Sequence, residues 1–112
     1  MKHFTRLKTS KEFNRVYNYS TKTWHTPYFV LFFRVEKKER VGFVASKKIG
    51  NAVQRNRAKR LLRAHFIKNI ERIKSGSYVF VAKPMLLEKD FQEVGKAYLH
   101  ALKKCSALQI SI

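Results

Sequence analysis

The residues best suited to chemistry lie in KKIGNAVQRNRAKRLLR, Lys47 to Arg63, where seven of seventeen side chains are basic and none is acidic. Such side chains bind phosphate; they do not cleave it. Groups that could cleave it are sparse. Metal-dependent phosphoryl hydrolysis needs clustered carboxylates around a hard cation. Glu88, Asp90 and Glu93 form the single close acidic group, and two of them read as helix caps. A metal-free route would pair two histidines with a lysine. His3, His25, His65 and His100 are scattered, and His65 falls on an apolar helix stripe, where packing is the commoner role. The chemistry to expect is recognition of a polyanion, without an active site of the chain's own.

A second constellation is aromatic. Phe13 and Tyr17 lie one helical turn apart, and Phe32 shares a strand face with Arg34. Unpaired bases stack on such rings, at roughly 1–3 kcal/mol per base. The competing reading is that all three rings are core.

These groups must be positioned by local structure. Thr9 with Glu12 has the form of a capping box and predicts a helix to about Tyr19. Pro27 introduces YFVLFFRVE, a strand by its β-branched and aromatic content. Alternation puts Tyr28, Val30, Phe32 and Arg34 on one face and Phe29, Leu31, Phe33 and Val35 on the other. A polar turn, Glu36 to Glu39, then predicts an antiparallel hairpin with Val41 to Ser46. After Gly50, Asn51 and Gln54 form a box-like cap for a long helix to about Ile73. Ser77 to Ala82 reads as a strand, and Asp90 with Glu93, a second capping box, opens a final helix through Phe91, Val94, Tyr98 and Leu102. The order α-β-β-α-β-α predicts an α+β fold, a two-layer sandwich of helices on a small mixed sheet, in one domain over residues 1–112.

On a wheel at 100° per residue, Ala58, Leu61, Leu62, His65, Phe66 and Ile73 make a core stripe. Asn56, Arg60 and Arg63 gather opposite, flanked by Arg57 and Lys59. A solvated helix face would mix signs. Here Arg55–Lys59, Arg57–Arg60, Lys59–Arg63 and Arg60–Arg63 are all like-charge neighbours, costing together about 1–2 kcal/mol at roughly 0.2–0.5 kcal/mol each. Lys47 and Lys48 add charge at the amino end, where the helix dipole already favours anions. Docked phosphates reverse both penalties. Lys47, Lys48, Arg55, Asn56, Arg57, Lys59, Arg60 and Arg63 are therefore the candidate phosphate-binding residues.

Whole-chain composition agrees. Among 112 residues there are 25 Lys+Arg against 7 Asp+Glu, a formal charge of +18. Self-repulsion of that size calls for a polyanionic partner, nucleic acid before membrane. The hydrophobic fraction of 45% argues for a folded chain rather than a basic tail. Cys105 is the one cysteine, so an internal disulfide and a cysteine zinc cluster are excluded. The start MKHFTRLKTS lacks the apolar stretch of a signal peptide, and Tyr28 to Phe33 is too short to cross a bilayer. These features predict a soluble, cytoplasmic protein.

VGFVASKKIGNAVQRNRAKRLLRAHF, Val41 to Phe66, closely resembles the signature of the bacterial ribonuclease P protein subunit. The resemblance extends over most of the chain, through Phe13 in an EF pair, the two strands, YVFVA and a closing helix. It implies a partner RNA subunit that carries the active site and its catalytic magnesium ions, with no metal held by the chain itself. It implies a second partner, precursor tRNA, whose 5′ leader the holoenzyme removes by hydrolysis. The protein subunit would help bind the leader and raise effective magnesium affinity; neither a membrane nor a protein homo-oligomer is required. It also implies a left-handed β-α-β crossover, against the usual rule. Carried over by position, Arg55, Asn56, Arg57, Lys59, Arg60 and Arg63 match the basic motif facing the RNA subunit, with Lys47 and Lys48 leading into it. Phe13, Tyr17 and Phe32 occupy the leader-binding cleft, Tyr17 and Phe32 by aromatic character rather than identity. A structural RNA-binder such as a ribosomal protein would share the composition but not the motif. A membrane-surface helix fits poorly, because the apolar stripe contains Asn69 and His65 and lacks Trp.

Overall fold

The computed structural model describes residues 3–109; the extreme ends of the 1–112 domain lie outside them. Helix α1, Ser10–Asn18, starts where expected: the Thr9 hydroxyl accepts from the Glu12 backbone N–H, and the Glu12 carboxylate accepts from the Thr9 backbone N–H at 2.9 Å. Helix α2 is Ala52–Asn69, and its box closes in the same way between Asn51 and Gln54, both bonds 2.9 Å. It ends four residues short of the expected Ile73, in a single 3-10 turn over Ile70–Arg72. Helix α3 is Phe91–Lys104, capped by Asp90 accepting from Glu93 N–H at 2.8 Å. The expected box closes only halfway here, because the Glu93 side chain turns to Lys96, 3.8 Å away, instead of back to the Asp90 N–H.

Five strands form one mixed sheet: β1 Thr5–Arg6, β2 Lys22–His25, β3 Phe29–Val35, β4 Glu39–Val44 and β5 Gly76–Ala82. Their spatial order is β1-β4-β5-β3-β2. The expected hairpin between β3 and β4 does not form, because β5 lies between them, antiparallel to β3 and parallel to β4. The turn acids explain the insertion. Glu36 accepts from the Ser77 hydroxyl and Glu39 from the Ser75 hydroxyl at 3.1 Å, so both hold the incoming β5. Two strands beyond the expected three occupy the edges: β1, parallel to β4, and β2, antiparallel to β3.

The alternation of β3 survives in the fold. Phe29, Leu31 and Phe33 join Tyr78 and Phe80 of β5, Val41 of β4, Leu62 and Phe66 of α2, and Tyr98 and Leu102 of α3 in the main core. The Tyr98 hydroxyl locks α3 to α2 by donating to the Leu62 carbonyl at 3.0 Å. On the other face, α1 covers part of the sheet, and Val16 buries against Leu7 and Val79. Helices thus lie on both faces: α2 and α3 form one full layer, and α1 a partial one opposite. Trp24 of β2 is half-buried against the main core, its ring edge-on to His100 at 5.9 Å with the Lys104 ammonium 5.6 Å away.

Candidate nucleic-acid interface

The basic surface begins at the end of β4. A 3-10 turn, Lys47–Ile49, is capped by the Ser46 hydroxyl, which accepts from Lys48 N–H at 3.3 Å. Ile49 plugs this turn into the core while Lys47 and Lys48 stay exposed. Gly50 follows at φ +141°, a conformation that favours glycine, and a Cβ there would strike the Gln54 side chain that closes the cap. The Arg55 guanidinium donates to the Gly50 carbonyl at 2.7 Å. Arg55 therefore fixes the loop that presents Lys47 and Lys48, and its NH1 is already committed.

Along α2 the candidates divide. Asn56, Lys59, Arg60 and Arg63 line one shallow hollow of about 430 Å³ with Val53, which is 74% exposed. Arg57 lies on the flank toward α3, lining a different hollow with Leu61 and His65. The buried Nε of Arg63 has no hydrogen-bond partner. The described residues form four ion pairs, and none involves Lys47, Lys48 or any basic residue of α2. The arginines around α1 behave oppositely. Arg15 and Arg34 both reach Glu36, at 3.5 and 3.3 Å, and Arg40 reaches Glu12 at 3.2 Å. Both acids titrate below their ordinary range. Backbone N–H bonds from Lys8 and Thr9 lower Glu12; for Glu36, burial pushes upward, but the Ser77 hydroxyl and the arginines outweigh it. Two of the 7 acids in the chain pair with arginines around α1, and none pairs with a basic residue of α2.

The three aromatic candidates come together on the α1 face. Tyr17 meets Phe32 edge-on at 4.9 Å, and Phe13 lies 6.5 Å from Tyr17. All three are half-buried beside Val44 and Val81, above buried Leu7, Val16 and Val79. They are the upper wall of a small core and also an accessible aromatic surface. Burial raises the Tyr17 pKa, which keeps the phenol a neutral donor. Sequence reasoning missed Gly42, the seat of Phe13: a Cβ on Gly42 would collide with the Phe13 ring. A glycine inside a strand was the available signal. It also missed Val53, an exposed apolar residue amid cations. Val44 borders the aromatic surface and Lys47 stands three residues later, so the two are at most about 11 Å apart along the chain. The aromatic surface thus comes close to Lys47 at the end of β4.

Among the described residues no three His, Cys, Asp or Glu side chains are grouped to hold a metal ion. His65 is buried at 1% exposure, stacked on Phe91 at 3.9 Å and on Tyr98 at 5.3 Å. Burial and then Lys68 lower its pKa to about 4, so it is neutral at pH 7. Cys105 is buried and free, its thiol pushed up to about 11 by burial. Among the described residues no helix is long and apolar enough to cross a membrane.

A mixed α+β domain that presents an unneutralised basic helix and an accessible aromatic surface has the surface chemistry that nucleic acids bind. Comparison with known proteins makes the class specific. A family model described as Ribonuclease P matches residues 1–106. The ribonuclease P protein component of Nitratiruptor is 50% identical over 104 residues, 93% of this chain and 94% of that one. The structure of the RNase P protein from Staphylococcus aureus superposes with a TM-score of 0.82 at 26% identity, covering 96% of this chain and all of that one. That of Thermotoga maritima gives 0.76 at 31% identity over 88% and 96% of the two chains. The chain belongs to the ribonuclease P protein family.

Proposed function

We propose that this protein is the subunit of ribonuclease P that docks on the catalytic RNA through α2 and receives the 5′ leader of precursor tRNA on its aromatic surface. The observation that carries the reading is the contrast in charge pairing. Acids neutralise the arginines around α1, while Lys47, Lys48 and the α2 cations have no acidic partner. Lys59, Arg60 and Arg63 supply phosphate contacts, Asn56 adds a neutral donor and acceptor beside them, and Arg55 holds the Lys47–Lys48 loop in position. Arg57 extends the contact toward α3.

Phe13, Tyr17 and Phe32 offer ring faces and edges to unpaired bases, and the valines beside them keep that surface apolar. Stacking of this kind tolerates any base, as a leader of variable sequence requires. Magnesium and the hydrolytic step belong to the RNA subunit in this reading, as the family resemblance implies. The protein contributes positioning and a positive potential that attracts RNA. The test is the affinity of the RNA subunit for precursor and for mature tRNA, each with and without this protein. The protein should tighten precursor binding selectively. Equal tightening of both would place the leader elsewhere.

A further inference from the structure

Helices α2 and α3 enclose a hollow on the side of the molecule away from α1. It measures about 350 Å³ and is lined by His65, Lys68, Asn69, Arg72, Phe91, Gln92, Gly95, Lys96 and Leu99, with no acid among them. A second hollow, about 210 Å³, lies beyond the same wall, and His65 and Phe91 border both. That wall is unusual in two respects. His65 is 1% exposed, and neither ring nitrogen has a hydrogen-bond partner, a rare condition for a buried polar side chain. Phe91, stacked on it, is an aromatic ring left 42% exposed.

We propose that this hollow binds a nucleotide: a base against Phe91 and the imidazole of His65, and a phosphate held by Lys68, Arg72 and Lys96. A neutral imidazole offers one donor and one acceptor. A base edge carries both donors and acceptors and so answers whichever ring nitrogen it meets. The Cε1–Nδ1 edge of His65 packs against Gly95, where an added Cβ would lie 3.3 Å from Cε1 and 3.6 Å from Nδ1, so residue 95 sets how closely α3 covers the imidazole. Phe91, the first residue of α3, turns off the imidazole to admit the base and joins the two hollows. The Lys68 ammonium already lies 5.8 Å from the Phe91 ring, where a phosphate attached to a stacked base would arrive. The site is separate from the Lys59–Arg60–Arg63 face and from the Phe13–Tyr17–Phe32 surface, and does not depend on the role proposed for either.

The test is a nuclear magnetic resonance titration of the full chain at pH 7 with adenosine 5′-monophosphate, and with inorganic phosphate at matched ionic strength. The mononucleotide should move the His65 imidazole and Gly95 amide resonances saturably, and phosphate should not. His65→Leu should fold and bind the mononucleotide at least about tenfold more weakly, the scale of a lost buried hydrogen bond. Gly95→Ala, whose methyl would press on the imidazole at 3.3 Å, should also weaken binding, giving a second variant should His65→Leu fail to fold. A short single-stranded RNA that displaces the mononucleotide from these resonances identifies RNA as the natural source. An RNA that leaves it in place identifies a free nucleotide. Equal shifts with phosphate, movement confined to Lys47–Arg63, or undiminished binding by folded variants would overturn the proposal.

Discussion

Replacing Arg60 and Arg63 together by alanine tests the basic face in a way that composition alone could not predict. Both line one hollow with Asn56 and Lys59, and neither has an acidic partner to retain it. Each phosphate contact contributes about 0.7–0.9 to the slope of log affinity against log salt. Loss of two should flatten that slope by about 1.4–1.8. Over a fourfold rise in salt, wild type should lose roughly seven- to twelvefold more affinity than the double variant. Filter binding to a bacterial ribonuclease P RNA at several salt concentrations reads this directly. Arg55→Ala provides the contrast. Its guanidinium is bonded to the Gly50 carbonyl at 2.7 Å, so its loss should loosen the loop, costing about 1.5–3 kcal/mol for a charge-assisted hydrogen bond, and flatten the slope less. An unchanged slope in the double variant, or a slope flattened as much by Arg55→Ala alone, would refute the assignment.

Further expectations follow from particular contacts. Phe13→Ala should weaken binding of precursor tRNA much more than of mature tRNA; equal losses would make Phe13 purely a core residue. Gly42→Ala should reproduce that defect through a methyl that evicts the Phe13 ring, and cost roughly 1–3 kcal/mol in a denaturant melt, as overpacking does. A variant with wild-type stability and precursor affinity would show that Phe13 does not need its seat on β4. His65 is neutral in the fold down to about pH 4 against an ordinary 6.5, so the unfolded chain binds the extra proton between those values. Its contribution to stability is constant above pH 6.5 and falls by up to about 3 kcal/mol as pH drops to 4. His65→Leu should lose that part of the pH dependence in urea melts; parallel curves for the two proteins would contradict the burial argument. Sulfate or phosphate should raise the melting temperature by binding the folded cation face. A melt indifferent to both would mean that the like charges on α2 are not under strain.

Local chemistry in this chain was legible because local interactions enforce it. The Thr9–Glu12 and Asn51–Gln54 caps close as read, and the period-two pattern of β3 sorts its side chains between the two cores. The basic face of α2 was legible from helical spacing, because the core stripe fixes its orientation. Sheet topology was not. A four-residue polar turn between two apolar runs looks like a hairpin, yet Glu36 and Glu39 bind serines that begin β5, some forty residues later. Nothing in a local window encodes that pairing. Strands β1 and β2 escaped notice because TR and KTWH are short and polar, as edge strands tend to be. The aromatic triad was found, but its seat was not, since a glycine declares its role only when its neighbour across space is known. Arg55 shows the limit most clearly. Its type and spacing match its neighbours, and only its reach back to Gly50 separates it from them.

The most direct test of the central claim is cleavage of a precursor tRNA by a bacterial ribonuclease P RNA at low magnesium, with and without this protein. Correct 5′ cleavage should rise sharply on adding it, while the protein alone should cut nothing. No rise in cleavage, or cleavage that persists after all RNA subunit is removed, would contradict the account.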